Sequence, residues 1–174
     1  MPAVSLPSAI AGAIARHALA ERPNEACGVI VGSAPAADGG TARRYVACRN
    51  AAASPSRYLV HPDDLLAVLA DLDRAGGELW GVVHSHPLTP AVPSAADIAE
   101  ATWPSAVHVL VSPADAGGPP VIRAWRIAGG QAFELALTVE AAGDAPGADA
   151  GGACRDTPDG GAGAEARARL RGAP

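Results

Sequence analysis

Apolar residues recur along this chain with two different periods, and each change of period marks an element. Between about residues 7 and 21, Ile10, Ile14 and Ala18 fall at helical spacing, which predicts an amphipathic helix broken by Arg22-Pro23-Asn24. Residues 26–32 form a short apolar run that reads as a buried strand. A turn at Asp38-Gly39-Gly40 leads into a partner strand over 41–48, and 57–60 reads as a further strand. His61-Pro62-Asp63-Asp64 then carries helix-start chemistry, proline followed by acids in a first turn. That helix runs to about Arg74, buries Leu65, Leu66, Val68, Leu69 and Leu72, and ends at Gly76-Gly77.

Residues 79–86 predict a core strand, 87–93 a proline-rich loop, 94–102 a short helix and 106–112 another strand. Segments 120–127 and 131–138 flank Ala128-Gly129-Gly130, the signature of a hairpin. Helices interleave with strands, but the closing hairpin is antiparallel. The expected fold class is therefore α+β in three layers, a mixed central sheet flanked by helices.

Composition changes the picture at the C-terminal end. Residues 141–174 contain no aromatic residue, and their one large aliphatic side chain is Leu170. Such a stretch cannot bury enough apolar area to offset the entropy of ordering. The expectation is one domain over 1–140 followed by a disordered tail, with a short frayed helix near 164–171. Up to residue 140 there are 13 acidic and 9 basic side chains, the latter all arginine, and no basic stripe for a nucleic acid. No run of 18 apolar residues suggests a membrane span, and the first seven residues lack the charged start of a secretion signal. The three cysteines are odd in number and form no C-x-x-C, so a reducing cytoplasmic setting is expected over a disulfide framework.

The chemistry concentrates between residues 84 and 97: His84-Ser85-His86-Pro87, then Ser94-Ala95-Ala96-Asp97. With five histidines, nine serines and eleven aspartates in the chain, this pattern arises by accident roughly 5 times in 10,000. In a strand, His84 and His86 project from the same face, and Asp97 can add a carboxylate from the next helix. Two nitrogens, one oxygen and an open fourth position make the ligand set of a catalytic zinc ion. Ser94-x-x-Asp97 also reads as a helix cap, which need not exclude ligation. Trp80 alternates in phase with the two histidines, which would set it on their face; packing in the core is the default reading. A general base is also required, and Glu25, just before the strand at 26–32, is a candidate beside Asp63, Asp64, Glu78 and Glu100. Cys27 reads as a small buried hydrophobe, and His108 as a structural residue that could support the site from a bordering strand.

Glu25-Ala-Cys-Gly-Val-Ile-Val-Gly, His84-Ser-His86-Pro and Ser94-x-x-Asp97 together resemble the JAMM/MPN+ zinc metalloproteases, over roughly residues 7–138. The resemblance implies a cytidine-deaminase-like fold and one catalytic Zn2+ held by His84, His86 and Asp97. It further implies Glu25 as general base and Ser94 as an aid to the oxyanion. The segment from Asn50 to Tyr58, the HPDD helix start and the late VHVLVS strand are similar to small stand-alone bacterial members. The implied activity is hydrolysis of the amide after the C-terminal Gly-Gly of a ubiquitin-like sulfur-carrier protein, releasing cysteine. Removal of another ubiquitin-like modifier from a conjugate, or a non-catalytic scaffold role, are the alternatives. A zinc deaminase would require H-x-E followed by P-C-x-x-C, and neither is present.

Overall fold

The computed structural model describes residues 3–113 and 118–141. The expected tail lies outside the described residues. Among the described residues, three α-helices and seven strands appear in the order β1 (Ala3–Pro7), α1 (Ser8–Ala20), β2 (Cys27–Gly32), β3 (Ala42–Cys48), α2 (Pro62–Ala75), β4 (Glu78–Ser85), α3 (Ala95–Ala99), β5 (Val107–Ser112), β6 (Val121–Ala128) and β7 (Gln131–Glu140), with a 3-10 turn at Ala36–Asp38 between β2 and β3. The strands form one sheet in the order β1-β7-β6-β5-β4-β2-β3. β1 runs parallel to β7 and β4 parallel to β5, while the remaining pairs are antiparallel. This is the mixed sheet the alternation of elements predicts.

Each face of the sheet has its own core. Ile10, Ile14 and Ala18 of α1 pack with Ile30, Val83, Val107, Val109 and Leu135 on one face. Val68 and Leu72 of α2 pack with Cys27, Val29, Val31 and Val46 on the other. Alternate residues of β2, β4 and β5 thus feed opposite cores, as a two-residue period requires. α2 starts as expected: Pro62 occupies the first turn, and His61 Nδ1 accepts the Asp63 backbone N–H at 3.3 Å. It ends at Gly76, whose φ of 63° suits a residue without a Cβ.

Four expectations change. Leu66, expected on the buried face of α2, is 46% exposed, because Asp64, Val68 and Leu72 form that face. β1 was not anticipated, because five residues around Val4 and Leu6 become a strand through parallel pairing with β7, a contact across the whole chain. Residues 57–60 form no strand; a single bridge joins Asn50 to Val60, and the Leu59 N–H is given to the Asn50 side chain. Trp80 does not share the face of His84 and His86. The β2–β4 register slips between Ile30↔Gly81 and Val31↔Leu79, leaving Trp80 as the extra residue of a bulge. Its side chain turns into the α1 core, 1% exposed, and its indole N–H donates to the Gly40 carbonyl at 2.7 Å.

Candidate metal centre

The site forms where β4 ends. His84 and His86 follow one another on one face of the strand end, and the loop from Pro87 returns through Ser94 into α3. Ser94 caps α3 by a reciprocal box: its hydroxyl accepts the Asp97 backbone N–H at 3.1 Å, and the Ser94 N–H donates to Asp97 Oδ2 at 2.7 Å. The Ser94 hydroxyl also donates to Oδ2 at 2.7 Å. Capping therefore leaves Asp97 within the group that could hold a metal ion. The cap holds the carboxylate and turns it toward the strand.

His84 Nε2 and His86 Nε2 lie 3.1 Å apart, and each lies 3.3 Å from an oxygen of Asp97. Donors about 2.0–2.1 Å from a tetrahedral ion stand roughly 3.3–3.4 Å from one another, so this triangle fits a zinc-sized ion. The tautomer of His86 is set locally, because its Nδ1 is 3.0 Å from the Pro90 carbonyl, which can only accept. Nδ1 thus carries the proton and Nε2 keeps its lone pair for a metal. His84 is fully buried, its Nδ1 has no hydrogen-bond partner, and its ring is stacked on Tyr58 at 4.4 Å and 17°. Burial drives the His84 pKa down, favouring the neutral ligand form. Burial opposes ionisation of Asp97, but the adjacent His84 and His86 rings and the Ser94 hydroxyl outweigh it and hold this carboxyl far below its usual range.

Sheet register places Glu25. Cys27 pairs with His84, and Ala26 exchanges bonds with Ser85: the Ala26 N–H donates to Ser85 Oγ at 2.8 Å and the Ser85 N–H to the Ala26 carbonyl at 2.9 Å. Glu25 therefore falls opposite His86. It is 4% exposed, and burial raises its pKa to about 7 against the pull of His86. The rivals are elsewhere or engaged. Asp64 is held by Arg49 at 2.7 Å, Asp63 is exposed, Glu100 pairs with Arg57 at 3.0 Å, and Glu78 begins β4 at its far end. Cys27 is buried with its thiol pushed up to about 12, unsuited to a nucleophile. His108 lies on the face of His84, since Val82 of β4 pairs with it, and burial lowers its pKa to about 4.

Sequence reasoning assigned no role to Ser85, Asn50 or Tyr58. Ser85 was visible only as a spacer between the histidines. Asn50 and Tyr58 lie in a loop whose contacts depend on strands far away in sequence, so no local period marks them.

Two histidines and a carboxylate gathered at the end of the central strand β4, with a buried glutamate opposite, are a donor set that a metal-dependent hydrolase could use. Residues 7–128 match the family model described as prokaryotic homologs of the JAB domain, and the chain belongs to that family. It is 33% identical to a desampylase of Haloferax volcanii over 71% of this chain and 84% of that protein. It is equally 33% identical to the CysO-cysteine peptidase of Mycobacterium tuberculosis, over 75% of this chain and 86% of that protein. The solution structure of a Desulfitobacterium hafniense protein superposes with a TM-score of 0.70 at 29% identity, covering 81% of this chain and 95% of that one. The fold is the JAB/MPN type and the chain is a peptidase. No helix among the described residues is long and apolar enough to cross a membrane.

Proposed function

We propose that this chain is a zinc peptidase that hydrolyses the amide following the C-terminal Gly-Gly of a ubiquitin-like sulfur carrier, releasing cysteine. The observation that carries the chemistry is the triangle of His84, His86 and Asp97 with Glu25 across the strand pair from His86. When bound, zinc supplies a Lewis acid that acidifies water toward a pKa of about 7 and polarises the carbonyl. Glu25 takes the proton of the attacking water and passes it to the departing amine, a role suited to a carboxyl poised near neutrality. Ser94 turns its hydroxyl from Asp97 to the carbonyl oxygen as negative charge grows there, while its backbone N–H keeps Asp97 in place. The likeness to a peptidase named for a cysteine-bearing carrier supports the choice of leaving group. The likeness to a desampylase supports a second reading, cleavage of a ubiquitin-like modifier from a protein conjugate.

The test incubates the protein with a sulfur carrier ending Gly-Gly-Cys and reads intact mass. Loss of one cysteine residue is expected with wild type and not with Glu25→Gln or after chelation. A carrier that stays whole under zinc-loaded wild type refutes the substrate. Zinc retained in full by His84→Ala refutes the ligand set.

A further inference from the structure

The loop from Asn50 to Val60 brings Tyr58 onto a ligand and meets the residue proposed as base, yet it contains no regular element. Its order centres on one side chain. A primary amide can donate two hydrogen bonds and accept two, and Asn50 makes all four. Nδ2 donates to the carbonyls of Glu25 at 2.9 Å and Arg57 at 3.1 Å. Oδ1 accepts the backbone N–H of Ala52 and of Leu59, both at 3.0 Å. The amide's orientation follows from its partners, since a flip would set donors against donors and acceptors against acceptors.

These four bonds join three parts of the site. Ala52 lies in the turn that sends the Ser54 carbonyl to the Glu25 N–H at 2.9 Å, a turn in which Ala53 takes a φ of 43°. Arg57 and Leu59 bracket Tyr58, whose ring covers His84. Glu25 is thus held at its N–H by the loop and at its carbonyl by Asn50 itself. We propose that Asn50 is a positioning residue that couples the placement of Glu25 to that of the Tyr58–His84 stack. The assignment rests on Glu25 acting as base in the reading above, but its structural half can be measured without a substrate.

The experiment compares zinc-loaded wild type with Asn50→Asp and Asn50→Ala. Asn50→Asp keeps two acceptors and loses the donors to Glu25 and Arg57, so it isolates that arm if the alanine variant does not fold. Amide hydrogen exchange at Glu25, Ala52 and Leu59 should quicken at least tenfold in Asn50→Ala, and at Glu25 in Asn50→Asp, while Val109 and Leu110 in β5 keep their protection. With the Gly-Gly-Cys carrier, kcat per zinc-loaded molecule should fall roughly 10- to 100-fold with KM within threefold, the size expected for a base displaced by about 1 Å. Exchange rising equally throughout the domain would make Asn50 a general stabiliser and overturn the proposal. Unchanged exchange at Glu25, or a kcat within twofold of wild type in Asn50→Asp, would also overturn it. If wild type cleaves no such carrier, the substrate reading fails, and the exchange pattern alone decides whether Asn50 holds Glu25 and the loop together.

Discussion

Ser85→Ala separates the architecture of the centre from its chemistry. Ser85 lies between His84 and His86 and could be mistaken for a nucleophile, but its side chain is wholly buried and its oxygen accepts the Ala26 N–H at 2.8 Å. That bond stands where β2 has not yet begun, so the hydroxyl takes the place of a strand carbonyl one residue from Glu25. Alanine leaves the Ala26 N–H without an acceptor at a residue 4% exposed, where water has little access. An unsatisfied buried donor costs about 1–3 kcal/mol. In a domain of this size each kcal/mol moves Tm by roughly 3–4 °C, so calorimetry of the zinc-loaded variant should show a fall of about 3–12 °C. At 25 °C the variant stays folded, and any loss of kcat then reports the shift of Glu25; about tenfold is expected, with zinc retained. A Tm within 1 °C of wild type would refute the structural account. Complete loss of turnover in a stable, zinc-loaded Ser85→Ala would mean the hydroxyl takes part in the reaction.

His108 makes the fold acid-sensitive. Its folded pKa near 4 lies below the ordinary 6.5, so as pH falls from 6.5 toward 4 the unfolded chain binds the proton first and stability drops, by about 3 kcal/mol at the lower limit. His108→Leu should flatten the urea-unfolding profile across that window, and an unchanged slope would contradict the assignment. Tyr58→Leu removes the ring stacked on His84; at about 0.5–1.5 kcal/mol for such a contact, the zinc Kd should rise roughly 2- to 10-fold in a chelator competition. An unaltered Kd would show that His84 needs no such support. Gly28→Ala places a methyl 2.5 Å from the Val46 carbonyl and 2.7 Å from the Tyr45 ring, which should destabilise by about 1–3 kcal/mol in urea melts; a neutral effect would mean β3 yields freely.

What could be read in advance follows from how far each interaction reaches along the chain. His84 and His86 share a face by strand periodicity, and Asp97 is aimed by a cap three residues long, so this candidate ligand set came from local rules. Glu25 did not. Its place opposite His86 depends on the β2–β4 register, across about sixty residues, and the rivals Asp63, Asp64, Glu78 and Glu100 could be set aside only once that register and their own partners were visible. Before then, resemblance alone singled Glu25 out. Asn50 and Tyr58 escaped for the same reason in stronger form, since every partner of the Asn50 side chain is a backbone group, and backbone groups leave no mark in the sequence.

Trp80 shows where a sound local rule fails. Strand periodicity holds only between irregularities, and one extra residue reverses the face of everything on its far side. The slip in β4 falls at Trp80 itself, so the indole entered the α1 core although it stands in phase with the histidines. His84 and His86 both lie beyond the slip on the same side, so their relation to each other was preserved. A bulge between residues 84 and 86 would have driven the two imidazoles to opposite faces and dissolved the centre. The register pairs from Gly81 to His84 are unbroken, and the Ala26–Ser85 exchange carries the same ladder one step further, to the edge of the site. The Ser85 hydroxyl thus does more than satisfy a donor: it extends regular pairing across the interval on which the two-histidine geometry depends.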